Sequence, residues 1–339
     1  MWKAVRLSAV SYPMSPVART ELERAGVELV QIEGQQPEEI IAAAADCDAL
    51  LVVSSKLPAE VIQSMSRCRI IARLGAGTDK IDVAAATAAG IVVSNVPDFC
   101  LNEQAEHTLM LLLAFVRRLP YMTRAMQRGE WTARSHPDVH RIAGRTLGLV
   151  GFGASSQAVA ERAKPFGLKL LAWTRSPDKY RAVAQRLGVE LRELDDLLRA
   201  SDFVSLHLPL NAETWHLLDE RRLGLMRPGA VLVNTARGAI VDEKALVKAL
   251  QEKRIGGAAL DVFEGIDVFA LPRDAHDPPQ HPLLELDNVI LTPHCAGSSL
   301  ESTLDCECRG AASVADVLGG KWPRHVVNPQ VQPRFPLVK

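Results

Sequence analysis

The chain carries no excess of one charge and no long apolar run. Its 39 Lys and Arg residues balance 40 Asp and Glu residues, giving a formal net charge of −1 without the basic footprint of a nucleic-acid-binding protein. The longest strongly apolar run, residues 109–116, is far too short to span a bilayer. Apolar residues still make up 47% of the 339 positions, which is enough to fill two domain cores. We therefore expect neither a nucleic-acid partner nor a membrane location.

The six cysteines lack the spacing of a metal site. Cys306 and Cys308 are two residues apart, which on a helix directs their side chains to different sides. The N-terminus begins with a strand-like stretch, residues 2–10, instead of the basic and apolar regions of a signal peptide. These features predict reduced thiols, no metal and a cytoplasmic protein.

Short apolar runs alternate with helical stretches, a pattern typical of parallel α/β sheets. The segment 102–119 predicts one long helix that ends at Pro120. A helix at about 300–318 would have to rejoin the first series of strands, and residues 328–339 are predicted to be a tail. The predicted strands are 49–53, 70–74 and 91–95 in the first series, and 146–150, 168–173, 203–207, 230–234, 257–260 and 289–292 in the second.

A glycine loop, Gly151-Phe152-Gly153, follows the first strand of the second series. Such a loop turns the chain tightly and lets backbone amides approach a pyrophosphate at the start of a helix. The third position of the fingerprint, usually Gly, is Ser156, so the motif is incomplete. By itself it is compatible equally with a dinucleotide site and with a simple tight turn.

Arg237 and His294 suggest the chemistry. An arginine can hold a carboxylate in two parallel hydrogen bonds, and a histidine can exchange a proton near neutral pH. Either residue alone could be structural, with Arg237 paired to a surface acid and His294 an ordinary loop histidine. Together with the glycine loop they indicate oxidation of a 2-hydroxy acid or the reverse reduction.

Seven sequence blocks resemble, in order, those of the D-isomer-specific 2-hydroxyacid dehydrogenases, a family that includes phosphoglycerate, D-lactate, glyoxylate/hydroxypyruvate, phosphite and formate dehydrogenases. The resemblance implies two Rossmann-like doubly wound domains with an interdomain cleft. A flavodoxin-like substrate domain would comprise 1–101 and 299–339, and an NAD(P)-binding domain 102–298. It also implies a homodimer formed partly by the long helix. The blocks are 73–79, 91–98, 144–153, 204–210, 233–242, 258–264 and 287–294.

The resemblance also implies roles for individual residues. Arg237 would bind the substrate carboxylate, helped by the amides of Ala76 and Gly77, and His294 would exchange the proton of the 2-hydroxyl. Phe99 belongs to the variable side-chain pocket, and Asp261 matches the family residue at the nicotinamide end. The positions that would line the dinucleotide are Gly151, Gly153, Ala154, Ser155, His207, Pro209, Thr235, Ala236, His294 and Gly297.

The sequence departs from the family at the catalytic acid, five residues after Asp261, where it has Ile266. The acid normally hydrogen-bonds the catalytic histidine and sets its orientation and basicity, which isoleucine cannot do. Glu264 and Asp267 flank this position and are the candidate replacements. The departure keeps two rivals open, namely a non-catalytic dinucleotide-binding sensor or partner-binding protein, and an altered reaction.

A second departure lies at the ribose end of the dinucleotide site. The acidic residue expected there is Thr174, followed by Arg175 and Ser176. Without the carboxylate a 2′-phosphate is no longer repelled, and an adjacent arginine can pair with it. The sequence therefore favours NADP(H) over NAD(H) without excluding the latter.

Overall fold

The computed structural model describes residues 1–34, 36–131, 139–269 and 280–338, and the chain divides into two compact units. The first unit contains Met1–Cys100 and the C-terminal segment from Ser298 onward, with Phe269. The second contains Leu101–Val268 and the stretch that ends at Gly297. Each unit has its own parallel sheet and its own core.

The first unit is built on a five-stranded parallel sheet in the order β2-β1-β3-β4-β5. Every residue of β3 is buried, as the continuous apolar run Ala49–Val52 predicts for a central parallel strand. Two apolar clusters cover the two faces of the sheet. The strands are β1 (Trp2–Arg6), β2 (Val27–Gln31), β3 (Ala49–Val52), β4 (Ile70–Arg73) and β5 (Val92–Ser94), and the helices between them are α1 (Pro16–Arg24), α2 (Pro37–Ala44), α3 (Ala59–Ser64) and α4 (Val83–Ala88).

The second unit is built on a seven-stranded parallel sheet in the order β12-β11-β10-β9-β6-β7-β8. The strands are β6 (Thr146–Val150), β7 (Lys169–Trp173), β8 (Val189–Leu191), β9 (Phe203–Leu206), β10 (Val231–Asn234), β11 (Gly257–Leu260) and β12 (Val289–Leu291). The helices are α5 (Leu101–Val116), α6 (Leu119–Gln127), α7 (Ala154–Ala163), α8 (Pro177–Leu187), α9 (Leu194–Ala200), α10 (Glu220–Leu223) and α11 (Glu243–Gln251). Strand order reverses around β6, so the two doubly wound α/β units predicted from the sequence are confirmed.

The predicted single helix at 102–119 is wrong in one respect. Helix α5 ends at Val116, and Arg118 adopts left-handed backbone angles with φ 52° before α6 begins at Leu119. Pro120 lies in the first turn of α6, where its missing N–H removes no helical hydrogen bond, so it starts a helix instead of ending one. Within the described ranges, no helix is both long and apolar enough to cross a membrane.

The C-terminal segment completes the first unit. Helix α12 (Leu300–Leu318) begins with a capping box between Ser299 and Ser302, and its buried face packs against α1. The predicted tail at 328–339 is wrong, because Asn328 is fully buried. Its side chain accepts from the Val93 amide at 2.8 Å and donates to the Ile91 carbonyl at 2.9 Å, so this segment is an integral part of the unit.

Candidate active site

The predicted site residues of the second unit lie at one edge of its sheet. Gly151 follows β6, Thr174 follows β7, His207 follows β9, Thr235 follows β10 and Asp261 follows β11. All these strands are parallel, so their carboxyl ends share an edge. This edge, at the reversal of strand order, is where doubly wound sheets bind their ligands.

The glycine loop fits a pyrophosphate. Gly151 has φ +96°, and a Cβ there would lie 2.3 Å from the His207 carbonyl oxygen, so the folded chain itself requires glycine. Gly153 caps α7, and a Cβ there would meet no atom of the described residues within 4 Å. The protein's own packing therefore does not require Gly153, whereas close approach of a phosphate to the helix start would. Ser156, the incomplete third position, is fully buried, as close packing of α7 demands.

Ser155 and His207 form a polar network beside this loop. Ser155 Oγ donates to Gln104 Oε1 at 2.6 Å and lies 3.2 Å from His207 Nδ1, while Ser205 Oγ lies 2.9 Å from His207 Nε2. Burial lowers the pKa of His207 to about 4, so its ring is neutral at pH 7. A neutral imidazole with a hydrogen-bond partner at each ring nitrogen is suited to lining the cofactor site and less suited to transferring a proton.

Arg237 sits on a turn that glycine makes possible. A Cβ on Gly238 would lie 2.0 Å from the Phe263 carbonyl carbon, so the chain after Arg237 packs directly against the backbone that follows β11. Asn234 fixes the turn by donating to the Arg237 carbonyl at 2.9 Å and accepting from the Ala236 amide at 3.0 Å. Arg237 Nη1 donates to the Ala236 carbonyl at 2.7 Å. The guanidinium is thereby held at the carboxyl end of β10.

Asp261 anchors the loop that carries His294. The fully buried Asp261 carboxylate accepts from the Thr292 hydroxyl at 2.5 Å and from the amides of Cys295 and Ala296 at 2.9 and 2.8 Å. Its carbonyl accepts from the His294 amide at 2.8 Å. His294 has φ 54°, a left-handed conformation that a non-glycine residue keeps only when its surroundings enforce it. Asp261 and Thr292 supply that enforcement.

Two residues of α5 join this site without having been predicted from the sequence. Gln104 donates to the Thr235 carbonyl at 2.9 Å, and His107 Nε2 lies 3.0 Å from the Thr292 hydroxyl. The sequence does not single them out, because most of the residues around them in the N-terminal half of α5 are polar too. His107, Asp261 and Cys295 also hold possible metal-ligating atoms within 4.8 Å of one another, but three protein donors already occupy the Asp261 carboxylate.

The two candidate replacement acids differ in their surroundings. Glu264 Oε1 lies 2.6 Å from His216 Nε2, and its other oxygen accepts from the Glu243 amide at 3.3 Å. Glu243 in turn accepts from the Glu264 amide at 3.0 Å and lies 2.8 Å from His281 Nε2. Glu264 thus belongs to a hydrogen-bonded network with His216, Glu243 and His281. Because its carboxylate already contacts His216, the geometry disfavours Glu264 as the partner of His294. Asp267 lies beyond this network in the chain and is partly buried.

At the predicted ribose end, Thr174 Oγ1 accepts from the Ser176 amide at 3.3 Å and fixes the turn after β7. Arg175 forms an ion pair with Glu213, from the loop after β9, and both side chains are more than half exposed. Pro209 lies in the same loop, where its carbonyl accepts from the Thr214 hydroxyl at 2.6 Å. The arginine predicted to meet a 2′-phosphate therefore already has a carboxylate partner.

The predicted substrate residues of the first unit lie after β4 and β5. The Ala76 carbonyl accepts from Asn95 Nδ2 at 2.7 Å and the Gly77 carbonyl from Arg73 Nε at 2.8 Å. Neither amide of this pair donates a hydrogen bond to any described residue. Phe99 is partly buried against the core of the unit. Two adjacent unengaged amides are a suitable contact for a carboxylate.

Comparison with known proteins identifies the family. The model of the D-isomer specific 2-hydroxyacid dehydrogenase NAD binding domain matches residues 109–296, more than half of the chain. The chain belongs to this family. A glyoxylate reductase of Korarchaeum cryptofilum is 41% identical over 302 residues, which cover 86% of each protein. A D-3-phosphoglycerate dehydrogenase of Methanocaldococcus jannaschii is 38% identical over 322 residues, which cover 94% of this chain but only 59% of that protein.

A solved structure agrees with this membership. The NADPH-dependent glyoxylate/hydroxypyruvate reductase of Sinorhizobium meliloti, in complex with NADP and malonate, has a TM-score of 0.83, 30% identity and 99% coverage of both chains. The protein is accordingly an NAD(P)-dependent oxidoreductase of the D-2-hydroxyacid dehydrogenase family, as the sequence predicts. This finding supports the enzyme over the non-catalytic rival.

Proposed function

We propose that the protein reduces small 2-oxo acids of the glyoxylate class to D-2-hydroxy acids. One observation carries this proposal: Arg237 and His294, with its Asp261 anchor, follow three neighbouring parallel strands of the sheet that also presents the glycine loop. The names of the relatives, mostly glyoxylate reductases, support the substrate class. Arg237 would select an acid as substrate, because the Arg237 guanidinium can pair with the substrate carboxylate.

In this proposal Arg237 binds the substrate carboxylate and polarises the 2-oxo oxygen, while a role for the Ala76 and Gly77 amides stays a prediction of the family resemblance. The 2-carbon would receive its hydride from a nicotinamide dinucleotide held at the glycine loop. Protonated His294 donates its proton to the 2-oxygen, which becomes the hydroxyl of the product. Asp261 keeps His294 in its left-handed conformation through the Thr292–Ala296 loop. Of the two acids near Ile266, Asp267 is assigned to His294, because Glu264 is held by His216.

The dinucleotide would lie along the carboxyl edge of the second sheet. Gly151, Gly153, Ala154 and Ser155 would hold the pyrophosphate at the start of α7. Thr174, Arg175 and Ser176 would contact the ribose, with NADP(H) favoured because no carboxylate follows β7. The remaining wall would consist of His207, Pro209, Thr235, Ala236, Asp261 and Gly297.

The enzyme is proposed to be a homodimer. Large apolar side chains are exposed in and beside α5 and α6, where a monomer would leave them in water. They are Met110, Leu119, Tyr121, Met126 and Trp131, the last 73% exposed. Analytical ultracentrifugation should give the mass of two chains.

A reducing compartment, the cytoplasm, is the proposed location. No disulfide joins the six cysteines, all of which lie in the described part of the chain, and the thiols of the buried neighbours Cys47 and Cys68 interact without forming one. Thiol titration of the freshly isolated protein should find all six reduced.

The decisive experiment measures NADPH and NADH oxidation against glyoxylate, hydroxypyruvate, pyruvate and longer 2-oxo acids, with cofactor binding determined by calorimetry on the same preparation. We expect turnover with glyoxylate or hydroxypyruvate and lower kcat/KM for bulkier acids. Tight cofactor binding without turnover of any 2-oxo acid would refute the proposal.

A further inference from the structure

A large cavity opens at the edge of the second sheet opposite the candidate active site. It has a volume of about 950 Å³. Phe203 and Val231, the first residues of β9 and β10, line it, as do Gly256 and Asn288 just before β11 and β12. It therefore lies at the amino ends of the strands whose carboxyl ends carry the predicted catalytic residues. Tyr121, which is part of the proposed dimer interface, also lines the cavity, but none of the predicted catalytic, substrate or dinucleotide residues does.

The cavity is strongly cationic although the chain as a whole is nearly neutral. Its lining includes two carboxylates, Glu285 and Asp287. Against these stand six permanently charged side chains, Arg118, Arg124, Arg128, Arg141, Arg145 and Lys253, together with His140. Such an excess of one sign in a concave site raises the local concentration of anions.

Four of these cations have no carboxylate partner among the described residues: Arg124, Arg141, Arg145 and Lys253. Arg145 Nε donates only to the Arg141 backbone carbonyl, at 3.0 Å. Other arginines of the same unit are paired with an acid, as in Arg181–Asp178, Arg192–Glu190, Arg199–Asp196, Arg221–Asp195 and Arg227–Asp202. Within the described residues these five arginines therefore have an acid partner, whereas Arg124, Arg141, Arg145 and Lys253 in the cavity lining have none.

The floor of the cavity is apolar. Phe115, Phe203, Val231 and Ile255 contribute to its lining. The volume is within the usual range of small-molecule sites, about 300–1,000 Å³. A cationic rim above an apolar floor suits an organic body bearing several negative groups more than it suits a single inorganic ion.

We propose that this cavity is a second ligand site, which binds a small organic anion bearing two or more phosphate or carboxylate groups. The anion would replace missing protein carboxylates as the counter-ion of the cavity arginines, whose planar donor groups match both phosphate and carboxylate. Binding here is independent of the dinucleotide, because the two sites lie at opposite edges of the sheet.

The test titrates the full chain with sodium tripolyphosphate and, separately, with citrate by calorimetry at about 0.15 M ionic strength. The cavity variant is Arg124→Gln/Arg141→Gln. The matched control, Arg181→Gln/Arg192→Gln, removes two exposed arginines of the same unit that already have acid partners. We expect the cavity variant to weaken anion binding by about tenfold or more, with the control unchanged. Preference between the two anions distinguishes a phosphate from a carboxylate ligand.

Two further measurements test whether the substitutions damage the fold or act at the dinucleotide site instead of the cavity. Without anion the cavity variant should melt no lower than the wild type, since two like charges have been removed, and the anion should raise the Tm of the wild type only. NADPH affinity should be the same in all three proteins. The proposal is overturned if neither anion binds, if the control loses as much, or if NADPH binding weakens in parallel. It is equally overturned if the cavity variant changes the oligomeric state, because the cations would then bind a second copy of the chain.

Discussion

Arg237 is the residue on which the proposed reaction depends most. Arg237→Ala should lower kcat/KM with glyoxylate by about a hundredfold or more, since two hydrogen bonds to a charged carboxylate are worth about 3 kcal/mol or more. NADPH affinity should stay within about twofold, because the guanidinium faces the substrate in this proposal. Steady-state kinetics and NADPH titration measure the two effects. Arg254→Ala, a surface arginine of the same unit, is the control, and equal activity of the two variants would remove Arg237 from the site.

We expect single residues after β7 to decide whether NADPH or NADH binds more tightly. Thr174→Asp should favour NADH over NADPH, because a carboxylate accepts from the ribose hydroxyls and repels a 2′-phosphate. Glu213→Gln should act in the opposite direction by releasing Arg175 from its ion pair. Calorimetric Kd values for both cofactors test this. If neither variant changes the NADPH to NADH ratio, the turn after β7 does not contact the ribose.

The acid that assists His294 can be identified by three substitutions. Asp267→Asn should lower kcat and move the pH profile to lower pH, because a neighbouring carboxylate stabilises the protonated imidazole. Glu264→Gln should leave the profile in place, since its carboxylate serves His216. Ile266→Glu should raise turnover or move the optimum upward. The assignment of Asp267 fails if Glu264→Gln shifts the profile and Asp267→Asn does not.

At the scale of elements, the sequence predicts the central strands well. Residues 49–53, 70–74, 203–207 and 257–260 were predicted as strands and contain β3, β4, β9 and β11, because continuous apolar runs between turn residues are specific for buried parallel strands. Two edge strands, β2 and β8, were missed, whereas the edge strands β5 and β12 lie within predicted strands. Strands β2 and β8 are both partly exposed, so they lack a continuous apolar run, and α6 begins only because Arg118 adopts a left-handed conformation.

The candidate site, like the fold, was predicted in part from the sequence. Arg237, Asp261 and His294 stand in ordered motifs, and the sheet brings the ends of their strands to one edge. Gln104 and His107 were not predicted, because their partners Thr235 and Thr292 are more than a hundred residues away in the chain. The pairing of Glu264 with His216 likewise depends on tertiary packing, which is why proximity in sequence to Ile266 suggested a role that the structure disfavours.

The C-terminal segment, which the sequence predicts to be a tail, contributes buried hydrogen bonds to the first unit. Asn328→Ala should lower the free energy of unfolding by about 2–4 kcal/mol, because the Val93 amide and the Ile91 carbonyl would lose their buried partner. Urea unfolding followed by circular dichroism measures the loss. Gln330→Ala, two residues along and exposed, should unfold like the wild type. A wild-type midpoint for Asn328→Ala would mean that the segment packs more loosely than described.

For the whole molecule, we expect His207 to make the free energy of unfolding depend on pH. Its pKa is lowered from 6.5 to about 4 by burial, so the unfolded chain binds a proton at a higher pH than the folded one. The free energy of unfolding should therefore fall by up to about 3 kcal/mol as the pH drops from 6.5 to 4, and the His207 contribution should be constant outside that window. His207→Gln should remove this part of the acid sensitivity. Identical slopes for variant and wild type between these pH values would contradict it.

The placement of α12 and Asn328 in the first unit has a consequence for biosynthesis. That unit is made of the first hundred residues and of residues after 298, whereas the second unit is encoded almost entirely between them. During translation, part of the apolar face of the N-terminal strands stays uncovered until the whole second unit has been synthesised, because α12 follows that unit in the sequence. The core of the first unit can close only after α12 has emerged from the ribosome.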